Sequence, residues 1–339
     1  MHKHFASDAV TSHLRGSALA VLLLHWCAAA TAPAAAAAAT KGTTLKLASW
    51  NLEWLLTPAT FAQLRGHCSH NDEQRRAAQR VLPCDVAAGL ERSAVDLAAL
   101  ARQVQRLDAD VIAIQEVDGA AAARQIFTRH DFCFTGSRAL QNNGFAIRRG
   151  LPFRCGEDLR GLSQGDTLRR GATLVLYPGT SREMHLLGVH LKSGCARQNL
   201  GSGGACERLA RQIPALEQWV DAQTRAGRQF AVLGDFNRDL LAEQRAQTAR
   251  GPTVPALWSA INDGNPRGAR LTNTAAGEAF RNCAVGQNHV GYIDYILLGE
   301  QLAAHLQRGS FERLTWSASD AWRRKLSDHC PVAIRLRID

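Results

Sequence analysis

Eight polar residues stand at the ends of apolar runs in this chain: Asn51, Glu116, His190, Asp235, Asn237, Asp294, Asp328 and His329. The stretch "VLGDFNRD", residues 232–239, shows the pattern: strand-like residues run into an Asp, an aromatic, an Asn and a second Asp. Strand ends that carry carboxylates into a loop are common places for metals and for catalysis. Carboxylate oxygens suit a hard divalent cation, while amides and imidazoles suit the non-bridging oxygens of a phosphate. One further carboxylate beside an attacking water would complete a metal-assisted attack on a phosphodiester. Taken singly, each residue has a plainer reading: Asn51 as a turn, His190 as a core histidine, Asp235 with Asn237 as an Asx turn. Six separate segments delivering the same chemistry argue for a site.

The elements that must position these residues alternate along the chain. "LKLASWNLEW" opens with period-two alternation, Leu45 and Leu47 against Lys46 and Ala48, which predicts a strand. "VIAIQEV" is a short continuous apolar run, as expected of a strand buried on both faces. Further strands are expected at "GFAIRR", "TLVLYP", "MHLLGVHLKS", "QFAVLGDFN", "YIDYILLG" and "CPVAIRLRI". "ERSAVDLAALARQVQRLDAD" repeats apolar residues at helical spacing (Val95, Leu97, Leu100, Val104, Leu107), and a second helix is expected around 206–226. Residues 59–84 read as a surface insertion and 239–288 as a long irregular region. Many strands with few helices predict an α/β fold: two packed mixed β-sheets flanked by helices, in one domain spanning residues 44–339.

Residues 1–39 have the layout of a cleaved secretory signal, with Lys3 and Arg15 ahead of an apolar and then Ala-rich run, a retained membrane anchor being the alternative reading. Of nine cysteines, its removal takes away Cys27 and leaves an even set without a Cys-x-x-Cys pair. In an exported chain that reads as disulfides, with Cys68–Cys84 and Cys195–Cys206 the first pairings expected, since both close modest loops. A periplasmic or extracellular location follows. The formal net charge of +10 suits a polyanionic partner: nucleic acid, anionic lipid headgroups or a sulfated polysaccharide.

In order, "SWNLEW", "IQEV", "GVHLKS", "GDFNRD", "YIDYILLG" and "SDHCPVAIRL" resemble the motifs of the endonuclease/exonuclease/phosphatase superfamily of divalent-metal phosphoesterases, over residues 45–337. The resemblance implies that Asp235 positions and deprotonates the attacking water and that Asn237 hydrogen-bonds the scissile phosphate, with Phe236 packed inward between them. It makes Glu116 the principal metal carboxylate, with Asn51 beside it and Asp328 a further metal-linked carboxylate. His329 would contact a phosphate oxygen and be oriented by Asp294, and His190 would supply a second imidazole. Arg169 would bind phosphate, although the adjacent Arg170 competes for that role. Lys192, on a glycine-rich loop after His190, reads as a substrate-side cation.

The expected cofactor is Mg²⁺, with Mn²⁺ as the alternative. The expected partner is nucleic acid, DNA before RNA, because phosphate contacts supply most sequence-independent affinity. A sphingomyelinase-like phospholipase and a small-molecule phosphatase are the competing enzymes. A non-catalytic polyanion-binding protein is the competing non-enzyme.

Overall fold

The computed structural model describes residues 43–250, 256–284 and 286–338 of the protein; the signal expected over 1–39 lies outside the described residues. In chain order the strands are β1 (Thr43–Leu55), β2 (Val111–Val117), β3 (His130–Phe134), β4 (Asn142–Arg148), β5 (Phe153–Cys155) and β6 (Ala172–Leu176). They continue with β7 (Met184–His190), β8 (Gln229–Asp235), β9 (Leu271–Asn273), β10 (Asp294–Gly299), β11 (Glu312–Arg313) and β12 (Val332–Ile338). One six-stranded sheet runs β11-β12-β1-β2-β4-β3 and the other β5-β6-β7-β8-β10-β9. Each is mixed: β1–β2 and β7–β8 are parallel, and the other pairs are antiparallel.

Because side chains alternate across a strand, β1 sorts its residues between two cores. Ala48, Trp50 and Leu52 pack outward with Leu100, Val104 and Leu107 of the helix Ala94–Leu107. Leu45 and Leu47 pack inward with Leu186 of β7, Leu233 of β8 and Ile296 of β10. The helix begins at a capping box in which Ser93 and Asp96 satisfy each other's backbone N–H. Its expected apolar stripe holds except at Val95, which is exposed.

Gly234 in β8 has a φ of +151°, and a Cβ there would fall 2.0 Å from the Val189 carbonyl of β7. Only glycine lets these two strands pair up to their polar ends.

Two regions hold more structure than expected. The insertion carries helices Pro58–Arg65, Asp72–Ala78 and Cys84–Gly89, and the irregular region carries helices Leu240–Arg250 and Leu257–Ile261 with β9. The helix expected around 206–226 is two, Gly204–Ala210 and Ile213–Arg225, and Pro214 opens the second.

All eight cysteines of the described residues are paired. Cys68–Cys84 and Cys195–Cys206 match expectation, and Cys133–Cys155 and Cys283–Cys330 complete the set. Cys133 lies in β3 and Cys155 in β5, so that bridge ties an edge of one sheet to an edge of the other.

Candidate active site

Following the inward face of each strand toward one end, the apolar core turns polar. On β1 the series Leu45, Leu47 continues to Asn51; on β8 Leu233 is followed by Asp235; on β7 Leu186 leads to His190; on β10 Asp294 precedes Ile296. Strand register then does the assembly: Asp235 is the direct partner of His190 on one side and of Asp294 on the other. Asn51, Asp235, His190 and Asp294 are all buried.

Asn51 spans the two sheets. Its Nδ2 donates to Asp235 Oδ2 at 3.1 Å and to Glu116 Oε1 at 3.2 Å, while its Oδ1 accepts from the Glu53 backbone at 3.0 Å. Glu116, near the end of β2, has a left-handed φ of 60°, as do Glu53 and Trp54 at 46° and 54°. The β1–β2 register slips between Asn51 and Leu55, and such irregularities re-aim side chains at strand ends. Here they let the Trp54 N–H donate to Glu116 Oε2 at 3.2 Å.

Asp235 is the centre of the arrangement. Besides Asn51, its carboxylate accepts from the Asn237 N–H at 2.8 Å and from Asn237 Nδ2 at 3.0 Å. His190 Nε2 stands 3.4 Å from it and His329 Nε2 3.8 Å. Phe236 is fully buried, as expected. Burial pushes the Asp235 carboxyl up to about 7, with Asp294 adding to the rise and His329 opposing it.

The two imidazoles are driven apart. Burial and then the nearby Arg169 hold His190 well below the ordinary histidine range, so it is neutral. Burial also works against charge on His329, but Asp294 and Asp235 outweigh it and hold the imidazolium well above that range. His329 Nδ1 lies 2.8 Å from Asp294 Oδ2, which leaves Nε2 facing Asp235.

Three residues escaped the sequence reading. Glu53 accepts the Asp328 N–H at 3.0 Å, and its carboxyl is pushed up to about 7 by burial and then by Asp328. It stands two residues after Asn51 inside "SWNLEW", where the motif itself was the available signal. Ser327 donates to the Asn51 carbonyl at 2.7 Å and accepts the His329 N–H at 3.0 Å, fixing the loop before β12. Arg92 is buried and donates to the carbonyls of Glu53, Lys325 and Leu326; nothing in its local sequence announces this.

Asp328 presents its side chain outward, with one oxygen 4.0 Å from His329 Nε2. Arg169 donates to the Leu191 carbonyl at 2.7 Å. Arg170 is taken up by Asp158 and Asp166, so Arg169 is the arginine left for the site. Lys192 lines a cavity beside Arg169 rather than meeting the carboxylates.

The donors fit a hard divalent cation. Glu53, Glu116 and Asp328 bring like charge together, and the nearby cation is Arg92, 3.8 Å from Glu53. A carboxyl pushed up by burial and then by a negative neighbour is one whose ionised form a cation would stabilise. Ligand atoms of Asp235, Asp294 and His329 also lie within 4.8 Å of one another.

A two-sheet α/β sandwich with carboxylates, amides and imidazoles gathered at one end of the inter-sheet core is a phosphoesterase fold. The chain belongs to the Endonuclease/Exonuclease/phosphatase family, whose model matches residues 48–329. Its structure is similar to that of TDP2 from C. elegans, at 12% identity and a TM-score of 0.53, over 88% of this chain and 76% of that one. It is similar also to a humanized D. rerio TDP2 carrying 14 mutations, at 15% and 0.51, over 86% and 98%. A third likeness is to the endonuclease/exonuclease/phosphatase from Bacteroides vulgatus, at 12% and 0.51, over 88% and 100%. Identities this low establish the shared fold. A sequence comparison with curated proteins gave no match.

Proposed function

We propose that the protein is a divalent-metal-dependent phosphodiesterase that hydrolyses nucleic acid, DNA before RNA, by in-line attack of water on phosphorus. The observation that carries this reading is the Asp235 carboxylate, buried, tuned to about 7 and surrounded by Asn51, Asn237, His190 and His329. A carboxylate near neutrality is matched to taking a proton from water at physiological pH. Asn51 and Asn237 hold it in place. As the water oxygen bonds to phosphorus its proton passes to Asp235, and the bond to the leaving oxygen breaks.

The charged His329 donates from Nε2 to a non-bridging oxygen, with Asp294 fixing its tautomer. Neutral His190 donates from Nε2 to a second phosphate oxygen. The residues that would hold Mg²⁺ or Mn²⁺ are Glu116, Glu53 and Asp328 with Asn51 beside them; the ion supplies charge neutralisation at the phosphate. The Asp235, Asp294 and His329 group is the weaker metal site, because an imidazolium has no lone pair to give.

A nuclease is favoured by the net charge of +10 and by cations flanking the site. Against a lipid substrate, the large apolar residues exposed among the described ones are Val95, Val290 and Trp322, scattered in sequence rather than forming one inserting segment. Four disulfides accord with a periplasmic or extracellular location. Among the described residues no helix is long and apolar enough to cross a membrane.

The test is hydrolysis of plasmid DNA, RNA and sphingomyelin in parallel, with Mg²⁺, Mn²⁺ or EDTA. Metal-dependent nicking that disappears in Asp235→Ala is expected. Lipid cleavage alone, or nicking that survives the substitution, overturns the reading.

A further inference from the structure

Beside the reacting centre lies a cavity of about 290 Å³ whose charge the proposed chemistry does not use. Arg76, Arg169, Lys192 and Arg208 line it, together with Trp54. Two carboxylates also face it, but both are engaged: Asp72 pairs with Arg75 and Asp166 with Arg170. Among the described residues none of the four cations has a carboxylate within ion-pair distance. Arg208 reaches only Thr167 and the Lys192 ammonium only the Ser193 carbonyl. The Nε of Arg169 is buried without a partner. Burial and then its neighbours Arg169, Arg208 and Arg76 lower the Lys192 ammonium, as expected of like charges held together with no anion between them.

The walls are fixed before any ligand arrives. On one side stands the helix Asp72–Ala78, within the loop closed by Cys68–Cys84. On the other stand Lys192 and Arg208, flanking the bridge Cys195–Cys206. Gln79 reaches across to the Asp166 carbonyl at 3.0 Å. Such bracing keeps like charges together at little further cost on binding. The cavity is linked to the catalytic groups through one carbonyl: Arg169 and Asn237 both donate to the Leu191 oxygen, at 2.7 and 3.1 Å.

We propose that this cavity is a second phosphate subsite, taking the backbone phosphate next to the scissile one and making a polynucleotide strand, rather than an isolated diester, the preferred substrate. Arg76 and Arg208 are its specificity-determining residues, and Trp54 offers the adjoining base a ring face. The inference rests on the phosphodiesterase reading and deepens it.

The experiment compares the oxidised protein with Arg76→Gln/Arg208→Gln on two substrates, a labelled single-stranded oligonucleotide and bis(4-nitrophenyl) phosphate, which carries one phosphate only. The ratio of kcat/KM for the oligonucleotide to that for the small diester is expected to fall about tenfold or more, through KM. The log–log salt slope for the oligonucleotide is expected to flatten by about 0.7, one phosphate no longer neutralised on a single strand. An unchanged ratio, or an equal fall on both substrates, overturns the subsite. If the unsubstituted protein hydrolyses neither substrate, the phosphodiesterase reading fails separately. Oligonucleotide binding in EDTA, followed by fluorescence anisotropy, then decides the subsite: weaker binding by the variant with a flatter salt slope supports it, and equal binding overturns it.

Discussion

The carboxamide of Asn51, delivered by one sheet, sits 3.1 Å from the Asp235 carboxylate delivered by the other. This contact joins the two halves of the sandwich at the point where the chemistry is assigned, and the same nitrogen also reaches Glu116. Asn51→Ala removes a donor that lowers the Asp235 carboxyl and leaves its oxygen without that partner. Turnover is expected to drop by about 10- to 100-fold. Steady-state kinetics on a diester, with circular dichroism to establish folding, checks this; full activity in the folded variant would remove Asn51 from the site.

Glu53 and Asp235 are both pushed up to about 7, chiefly by burial. A carboxyl raised in the folded state favours folding while protonated. That contribution is complete below the unfolded value of about 4 and is lost as pH climbs through 7. A cation prefers the ionised form, so Mg²⁺ should raise the unfolding temperature over the EDTA sample more at pH 8 than at pH 5.5. Thermal scans with and without the ion measure it, and equal shifts at both pH values count against a carboxylate site.

His329 is charged because of the carboxylates around it, Asp294 first among them. Asp294→Asn is expected to lower the imidazole, so that less of it is charged at pH 8 than in the unsubstituted protein. The loss in kcat should then be large at pH 8, about 10- to 100-fold, and smaller at pH 5.5. An NMR titration of the ring protons reports the shift directly. A loss independent of pH would mean that Asp294 serves only to place the ring.

Arg92 binds both carbonyl-rich loops that frame Glu53 and the approach to β12. Arg92→Ala strands those carbonyls and the Glu53 carboxylate. It is expected to cost about 3 kcal/mol in urea unfolding. A cost below about 1 kcal/mol would show that water replaces the guanidinium freely.

The strand ends were legible because each candidate-site group stands at one end of an apolar run whose pattern can be read locally. Leu45 and Leu47 announce the face on which Asn51 emerges, and "VLG" announces Asp235. What the alternation could not show is which polar ends meet, since that depends on β7 and β10 both pairing with β8. The choice between Arg169 and Arg170 turned on Asp158 and Asp166, partners read only from the folded chain. Arg92 escaped because it binds carbonyls, and carbonyls carry no residue signature. The Cys133–Cys155 bridge escaped for a related reason, since it spans two sheets whose edges have no sequence cue of adjacency.

The C-terminal strand β12 lies between β11 and β1, paired with the first residues of the sandwich, and Asp328 and His329 directly precede it. Among the described residues, the first and last strands in chain order are therefore neighbours in one sheet. A chain cut before residue 328 would keep Glu116 and Asp235 but lose His329, whose Nε2 stands 3.8 Å from Asp235. On the proposed mechanism, such a truncation removes at once a strand from the sheet and the imidazole assigned to the phosphate.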